Sequence, residues 1–230
     1  MISVIIPTLN EAQCLPTLLA QLRAEVSLGE IIVSDGGSTD DTRSAAVAGG
    51  ARWVCGPPGR GGQLARGIAA SRGSVQLMLH ADTIFPPGGL AAIEAALARR
   101  EEAPGGNFSL LFDGQERFSR WLEGFYARLR RHGIYYGDSG IFVRRTALDA
   151  IGGIRPIALM EDFDLVRRME RAGPTLHIET PALVTSSRRF AGRGRVAIIA
   201  GWLRVHLLYA LGVAPGRLAA LYDSARHRAR

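Results

Sequence analysis

Lysine is absent from the 230-residue chain: all 28 basic residues are arginines. A Schiff-base enzyme needs a lysine amine and a P-loop needs a phosphate-binding lysine, so both are excluded. An all-arginine set suits forked recognition of phosphate oxygens, although genome composition would produce the same bias. Cysteine is scarce. Cys14 and Cys55 are the only two, and they form no C-x-x-C pair. A zinc framework or disulfide scaffold is therefore not expected, and a reducing, cytoplasmic setting is the default. The opening apolar run, Ile2 to Ile6, is too short for a signal peptide. The longest apolar stretch, residues 196–213, is marginal against the roughly 20 residues of a membrane span. Internal repeats and low-complexity tracts are lacking.

Apolar residues make up 47% of the chain and charged residues 21%, which suits one large globular domain with a buried core. The net charge of +7 and a pI near 10.4 favour an anionic partner: nucleic acid, an acidic membrane surface or a phosphorylated small molecule. No nucleic-acid recognition motif is present, so a basic nucleic-acid binder is not expected.

Apolar, β-branched runs at Ile2–Ile6, Glu30–Ser34, Ala51–Val54 and Val75–Leu79 read as strands. Helical patterns separate them: Ala12–Val26, a helix capped by Ser38, one through Ala65–Ala70, and one opened by Pro86-Pro87. The segment 56–62, with Arg60, reads as a glycine-rich loop. This alternation predicts an α/β fold, a Rossmann-like and mostly parallel sheet flanked by helices. After Pro104 the expected elements are a strand at Asn107–Phe112, a helix at Glu116–Arg131 and a short strand at Ile141–Val143. A helix at Asp162–Ala172 and two short strands near Leu176 and Leu183 follow, and two C-terminal helices end the chain. Residues 1–195 are expected to form the main domain and 196–230 a helical appendage.

In doubly wound sheets ligands bind beyond the carboxyl ends of the strands. Three such ends here carry carboxylates: Pro7-Thr8-Leu9-Asn10-Glu11, Ser34-Asp35-Gly36-Gly37-Ser38 and His80-Ala81-Asp82-Thr83. Singly, each has a plain explanation as a helix start, a turn or a cap; together they predict a binding crevice. The place of a dinucleotide G-x-G-x-x-G fingerprint is taken by Thr8-Leu9-Asn10-Glu11, which argues against a nicotinamide enzyme.

These segments, with Glu161-Asp162-Phe163-Asp164-Leu165, resemble the motif series of the family 2 glycosyltransferases, in order and spacing over about residues 1–190. Leu79–Thr83 and Tyr136-Gly137-Asp138-Ser139-Gly140 through Arg145 are similar to a bacterial subgroup named only as "transferase 2, rSAM/selenodomain-associated". The resemblance implies a GT-A fold, a nucleotide-diphosphate sugar, an unknown acceptor and a divalent metal, Mn or Mg. It places Asp35 at the nucleobase, where its oxygens suit a ring N–H. Pro7, Thr8, Asn10, Glu11, Gly36, Ser38 and Asp138 are expected to line the nucleotide-sugar site. Arg60 reaches base or phosphate on this reading, or stands as a solvated loop charge. Asp82 matches the last carboxylate of the family's metal motif. His80 replaces the first Asp, and a role beside the metal or in the core is favoured over ligation. Asp162 is the expected general base with Glu161 next to it, and Asp164 is expected to be structural. Arg188 and Arg189 belong to a basic, glycine-rich stretch expected either to close over the diphosphate or to be a solvated loop.

Two rival functions stand beside sugar transfer: a nucleotidyltransferase, which would want a lysine, and a nucleotide-binding protein without turnover. For residues 196–213 three readings stay open: a helix docked on the domain, a homodimer interface, or an interfacial helix touching the inner face of a membrane.

Overall fold

The computed structural model describes residues 1–114, 117–186 and 195–227. Seven strands form one sheet in the order β3-β2-β1-β4-β6-β5-β7. They are β1 (Ile2–Thr8), β2 (Leu28–Asp35), β3 (Arg52–Cys55), β4 (Val75–Met78), β5 (Gly105–Phe112), β6 (Ile141–Arg144) and β7 (Leu176–Thr185). β1 pairs in parallel with β2 and β4, β2 with β3, and β5 with β7. Only β6 is reversed, antiparallel to β4 on one side and β5 on the other. The expected mostly parallel sheet is therefore present, with one antiparallel strand in its middle. Gly105 and Gly106 permit close pairing of β5 with β6 and with β7. A Cβ on Gly105 would fall 2.1 Å from the Phe142 carbonyl oxygen, and one on Gly106 2.0 Å from that of Leu176.

Alternate residues of β1 feed two cores, as the period of a strand requires. Ile2, Val4 and Ile6 join α1 (Leu15–Arg23), α4 (Gly89–Arg99) and α5 (Arg117–Arg130) on one side. Ile5 joins α3 (Arg60–Ala70), α6 (Arg145–Ala150) and α7 (Glu161–Ala172) on the other. In α1, Leu15, Leu18, Leu19 and Leu22 are all buried, the i, i+3, i+4, i+7 stripe of a helix lying on a sheet.

Several sequence expectations need correction. Arg60 does not sit in a loop: it is the first residue of α3, because Gly59, at φ 126°, turns the chain directly into the helix. Ser38 does not cap α2 (Thr42–Ala48), whose N-cap is Asp41; its hydroxyl is committed to Asp35. The two short strands near Leu176 and Leu183 are one strand, β7, with a bulge around Thr180-Pro181 where proline cannot donate to the ladder. The 3₁₀ turn Gly137–Ser139 and helix α6 had no counterpart among the expected elements.

The chain ends in α8 (Arg195–Ala210) and α9 (Pro215–His227). One face of α8 is docked: the Trp202 ring meets Tyr126 at 6.3 Å, His206 meets Phe163 at 5.3 Å, and Tyr209 meets Phe163 at 6.0 Å. No helix among the described residues is long and apolar enough to cross a membrane.

Candidate active site

Because β1, β2 and β4 run parallel, the loops after Thr8, Asp35 and Met78 open on the same edge of the sheet. Thr8 and Asp35 are register partners at that edge. The Thr8 hydroxyl donates to Asp35 Oδ1 at 3.0 Å, and the Ser38 hydroxyl donates to the same oxygen. Asp35 Oδ2 accepts the Gly37 and Ser38 N–H groups, both at 2.7 Å. Burial opposes the Asp35 charge, but the bonds from Ser38, Gly37 and Thr8 outweigh it and hold the carboxyl below the usual carboxylate range.

The two loops are then laced together. Asn10, in the left-handed region at φ 57°, donates its N–H to Ser38 Oγ (2.8 Å) and accepts the Thr39 N–H at Oδ1 (2.9 Å). The Glu11 N–H goes to Thr42 Oγ1 (2.8 Å) and the Ala12 N–H to Asp40 Oδ2 (3.1 Å). From beneath, the buried Gln63 amide donates to the carbonyls of Thr8 (2.6 Å) and Ser34 (3.1 Å). A Cβ on Gly36 would press on the Gln63 side chain at 3.1 Å. Gln63 was missed in the sequence; its signal was a polar residue on the buried face of α3, beside Leu64, Gly67 and Ile68.

A second cluster forms at the start of α7. Met160, the residue before it, is held at φ 68°, a backbone setting that a side chain of its size adopts only when its surroundings enforce it. Asp162 Oδ1 accepts the Phe163 N–H (2.7 Å). Its Oδ2 accepts the Gly137 N–H (2.9 Å) and Arg60 Nη2 (3.1 Å). Arg60 reaches across from α3: Nε donates to Glu161 Oε1, and Nη1 lies 3.2 Å from His80 Nε2. A guanidinium only donates, so His80 Nε2 is the accepting nitrogen. Arg60 is thus neither loop nor solvated charge. It is a part-exposed cation shared among two carboxylates and an imidazole.

Charges in this cluster separate. Burial raises Asp162, but Arg60 and the Gly137 and Phe163 N–H groups bring it below the ordinary value. Glu161, 1% exposed, goes the other way: burial, together with the Asp162 charge, outweighs the pull of Arg60 and raises it. Burial also works against the charge of Arg60, and Asp162, Glu161 and Asp138 overcome it. Under these groups lies a cavity of about 10 Å³, room for about one water, walled by Pro7, Arg60, His80, Gly137 and Asp162.

Asp138 is buried in the 3₁₀ turn beside Gly137 and accepts the Tyr126 hydroxyl at 3.3 Å. Asp164 is bound by Arg155 (3.0 Å) and Arg168 (2.9 Å), a structural tie between α7 and the loop before it. Asp82 stands half-buried in a tight turn closed by Thr83 N–H to the His80 carbonyl (3.2 Å). It does not cap α4, whose first N–H groups, at Gly88 and Leu90, are taken by Glu25. Among the described residues no group of three or more His, Cys, Asp or Glu is placed to hold a metal on its own. Tyr136 was also missed: its hydroxyl donates to His206 Nε2 (2.9 Å), whose Nδ1 bonds the Trp202 carbonyl (2.8 Å), tying α8 to the residue before Gly137. Arg188 and Arg189 lie outside the described residues.

The model of the family described as Glycosyl transferase family 2 matches residues 3–151. Glucosyl-3-phosphoglycerate synthase of Mycolicibacterium paratuberculosis is 38% identical over 96 residues, 37% of this chain and 29% of that protein. An uncharacterized glycosyltransferase of Mycobacterium tuberculosis is 34% identical over 97 residues, 42% of this chain and 43% of that protein. The chain thus matches less than half the length of these curated relatives. Among solved structures, Mycobacterium tuberculosis glucosyl-3-phosphoglycerate synthase in complex with Mn²⁺, UDP and glucosyl-3-phosphoglycerate superposes with a TM-score of 0.65 at 24% identity, covering 93% of this chain and 80% of that one. S. aureus TarS superposes with a TM-score of 0.65 at 14% identity, covering 90% of this chain and 39% of the other. At these identities the likeness is one of fold, the GT-A arrangement.

Proposed function

This chain belongs to glycosyl transferase family 2, and from that premise we propose that it transfers a sugar from a nucleoside-diphosphate donor to an acceptor hydroxyl, inverting the anomeric centre. The observation that carries the reading is the meeting of Arg60, His80, Gly137 and Asp162 around one small cavity, at the sheet edge that also holds the Asp35 loops. Leu79–Thr83 and Tyr136–Arg145 support the narrower subgroup likeness. Residues 1–195 are the catalytic unit on this reading.

Asp162 takes the acceptor proton. Its depressed carboxyl is ionised at neutral pH, and the Gly137 and Phe163 N–H groups fix its direction. As the acceptor oxygen bonds to the anomeric carbon, the bond from that carbon to the phosphate oxygen breaks. The electron pair leaves with the nucleoside diphosphate, and the proton passes to Asp162. Arg60 is the cation bound to Asp162, and Glu161, buried behind it, holds its other edge. The lacing of Asn10, Ser38 and Asp35 gives the nucleoside end a fixed wall.

The donor set fits a divalent cation, Mn²⁺ or Mg²⁺, that arrives on the diphosphate rather than one caged by protein. Asp82 follows β4 at this edge, no three-ligand cluster stands there among the described residues, and such cations draw most ligands from phosphate and water. When bound there by Asp82, it would neutralise charge on the departing diphosphate. His80 turns Nε2 to Arg60, which supports a place beside the cation rather than on it.

The test is thermal shift with UDP and UDP-sugars, with and without Mn²⁺, followed by a donor-hydrolysis assay. Binding raises the melting temperature by mass action. The reading expects a metal-dependent shift that Asp82→Asn removes, and release of UDP. A shift without turnover would leave a nucleotide-binding protein, and no shift with any nucleotide would overturn the reading.

A further inference from the structure

Helix α8 is apolar on both faces, and among the described residues only one face is covered. The docked face is Ile198, Trp202, His206 and Tyr209. On the opposite face Val196 is 80% exposed, Leu203 65% and Leu207 61%, and Leu211, in the turn that continues the helix, 70%. At 1.5 Å per residue this stripe runs about 22 Å. A helix apolar all round is ordinarily buried all round, so a ligand for the bare face is implied.

Charge decides which. From Thr180 to Tyr222 there is no aspartate or glutamate, while six arginines occur, among them Arg204, exposed beside the stripe, and Arg217 on α9. A second copy of the chain would bring the same arginine-rich, carboxylate-free segment against itself, because a twofold contact is self-complementary. An anionic lipid surface supplies both an apolar layer for the leucines and phosphate charge for the arginines. We propose that α8 lies on an anionic membrane surface, with Val196, Leu203, Leu207 and Leu211 in the acyl boundary and Arg204 at the headgroups. The site is close by. Tyr136 and Phe163, which touch α8, are the chain neighbours of Gly137 and Asp162. The candidate active site therefore lies on the docked side of α8, with the helix and the Tyr136 and Phe163 rings between it and the lipid-facing stripe. The proposal does not depend on which reaction the site performs.

The experiment is co-sedimentation of the full chain with vesicles of phosphatidylcholine alone or mixed with phosphatidylglycerol, at low and high ionic strength. The expected result is binding to the mixed vesicles, weakened by salt. Leu203→Glu/Leu207→Glu should lower partitioning by about tenfold per leucine. Arg204→Gln should lower it by about fivefold and flatten the salt dependence. Both sites are exposed, and a melting curve checks the fold; Leu203→Ala/Leu207→Ala, which adds no charge, should move binding the same way. Equal binding to neutral and anionic vesicles, full binding by the leucine variants, or no vesicle binding by a dimer that only the leucine variants dissociate would overturn it.

Discussion

At the ends of β1 and β2, both oxygens of Asp35 are met by neutral hydrogen-bond donors from Thr8, Gly37 and Ser38, all within the two loops that Asp35 joins. At the start of α7, Glu161 and Asp162 are met by a cation from α3, about a hundred residues away in sequence, and that cation also touches His80. The first arrangement is closed and its polar groups are spent on one another. The second shares a single part-exposed arginine among three groups, so a new anion at the edge can compete for it. A rigid wall and a redistributable charge are what a site needs if it must hold one end of a ligand and react at the other.

Removing the shared cation should have the largest effect. Arg60→Met leaves Glu161 buried without its partner. Breaking a buried pair by removing one member costs about 3–5 kcal/mol, and the part-exposed edge of Arg60 puts the expected loss near 3 kcal/mol by urea unfolding. A loss under about 1 kcal/mol, the scale of an exposed pair, would show that the cluster is not the coupled unit described. In the laced loops the same kind of test should cost less. Thr8→Val removes one of four hydrogen bonds to Asp35 and keeps its shape, so about 1–2 kcal/mol is expected. If Thr8→Val costs more than Arg60→Met, the contrast between the two regions is reversed.

The smallest effect is in pH dependence. Asp35 is depressed in the folded state, so its contribution is present above the unfolded carboxylate value of about 3.9 and is lost as pH falls through the folded value. Glu161 is raised, so its contribution is present below the unfolded value of about 4.3 and is lost as pH rises through the folded one. Asp35→Asn should therefore flatten the acid loss of stability, and Glu161→Gln should steepen it slightly. Unfolding free energies across the acid range check both signs.

The two regions were unequally legible in the sequence. Thr8, Asn10, Asp35 and Ser38 stand at the ends of apolar, β-branched runs, so strand period and loop position alone put them on one edge. The contacts of Arg60 could not be read that way. Its neighbours Gly59 and Gly61 suggested a loop, whereas Gly59 supplies the positive φ that starts a helix and aims the guanidinium at α7. The strand at Ile141–Val143 was legible, but its reversed direction was not, because that is set by pairing with β4 and β5 rather than by local pattern; the turn at Gly137 left no pattern either. Gln63 and Tyr136 act through backbone carbonyls and a histidine brought together only by the fold.

The central claim is that Asp162 receives the acceptor proton. Asp162→Asn keeps the shape but not the proton acceptor, and its single amide oxygen can accept from only one of Gly137 and Phe163, which is why affinity and fold are read beside the rate. The direct measurement is single-turnover transfer, or hydrolysis of the sugar donor, by the purified variant, with donor affinity and a melting curve taken alongside. The account predicts near-wild-type affinity and a rate lower by about 10²–10⁴-fold. A folded Asp162→Asn that turns over at close to the wild-type rate would contradict it.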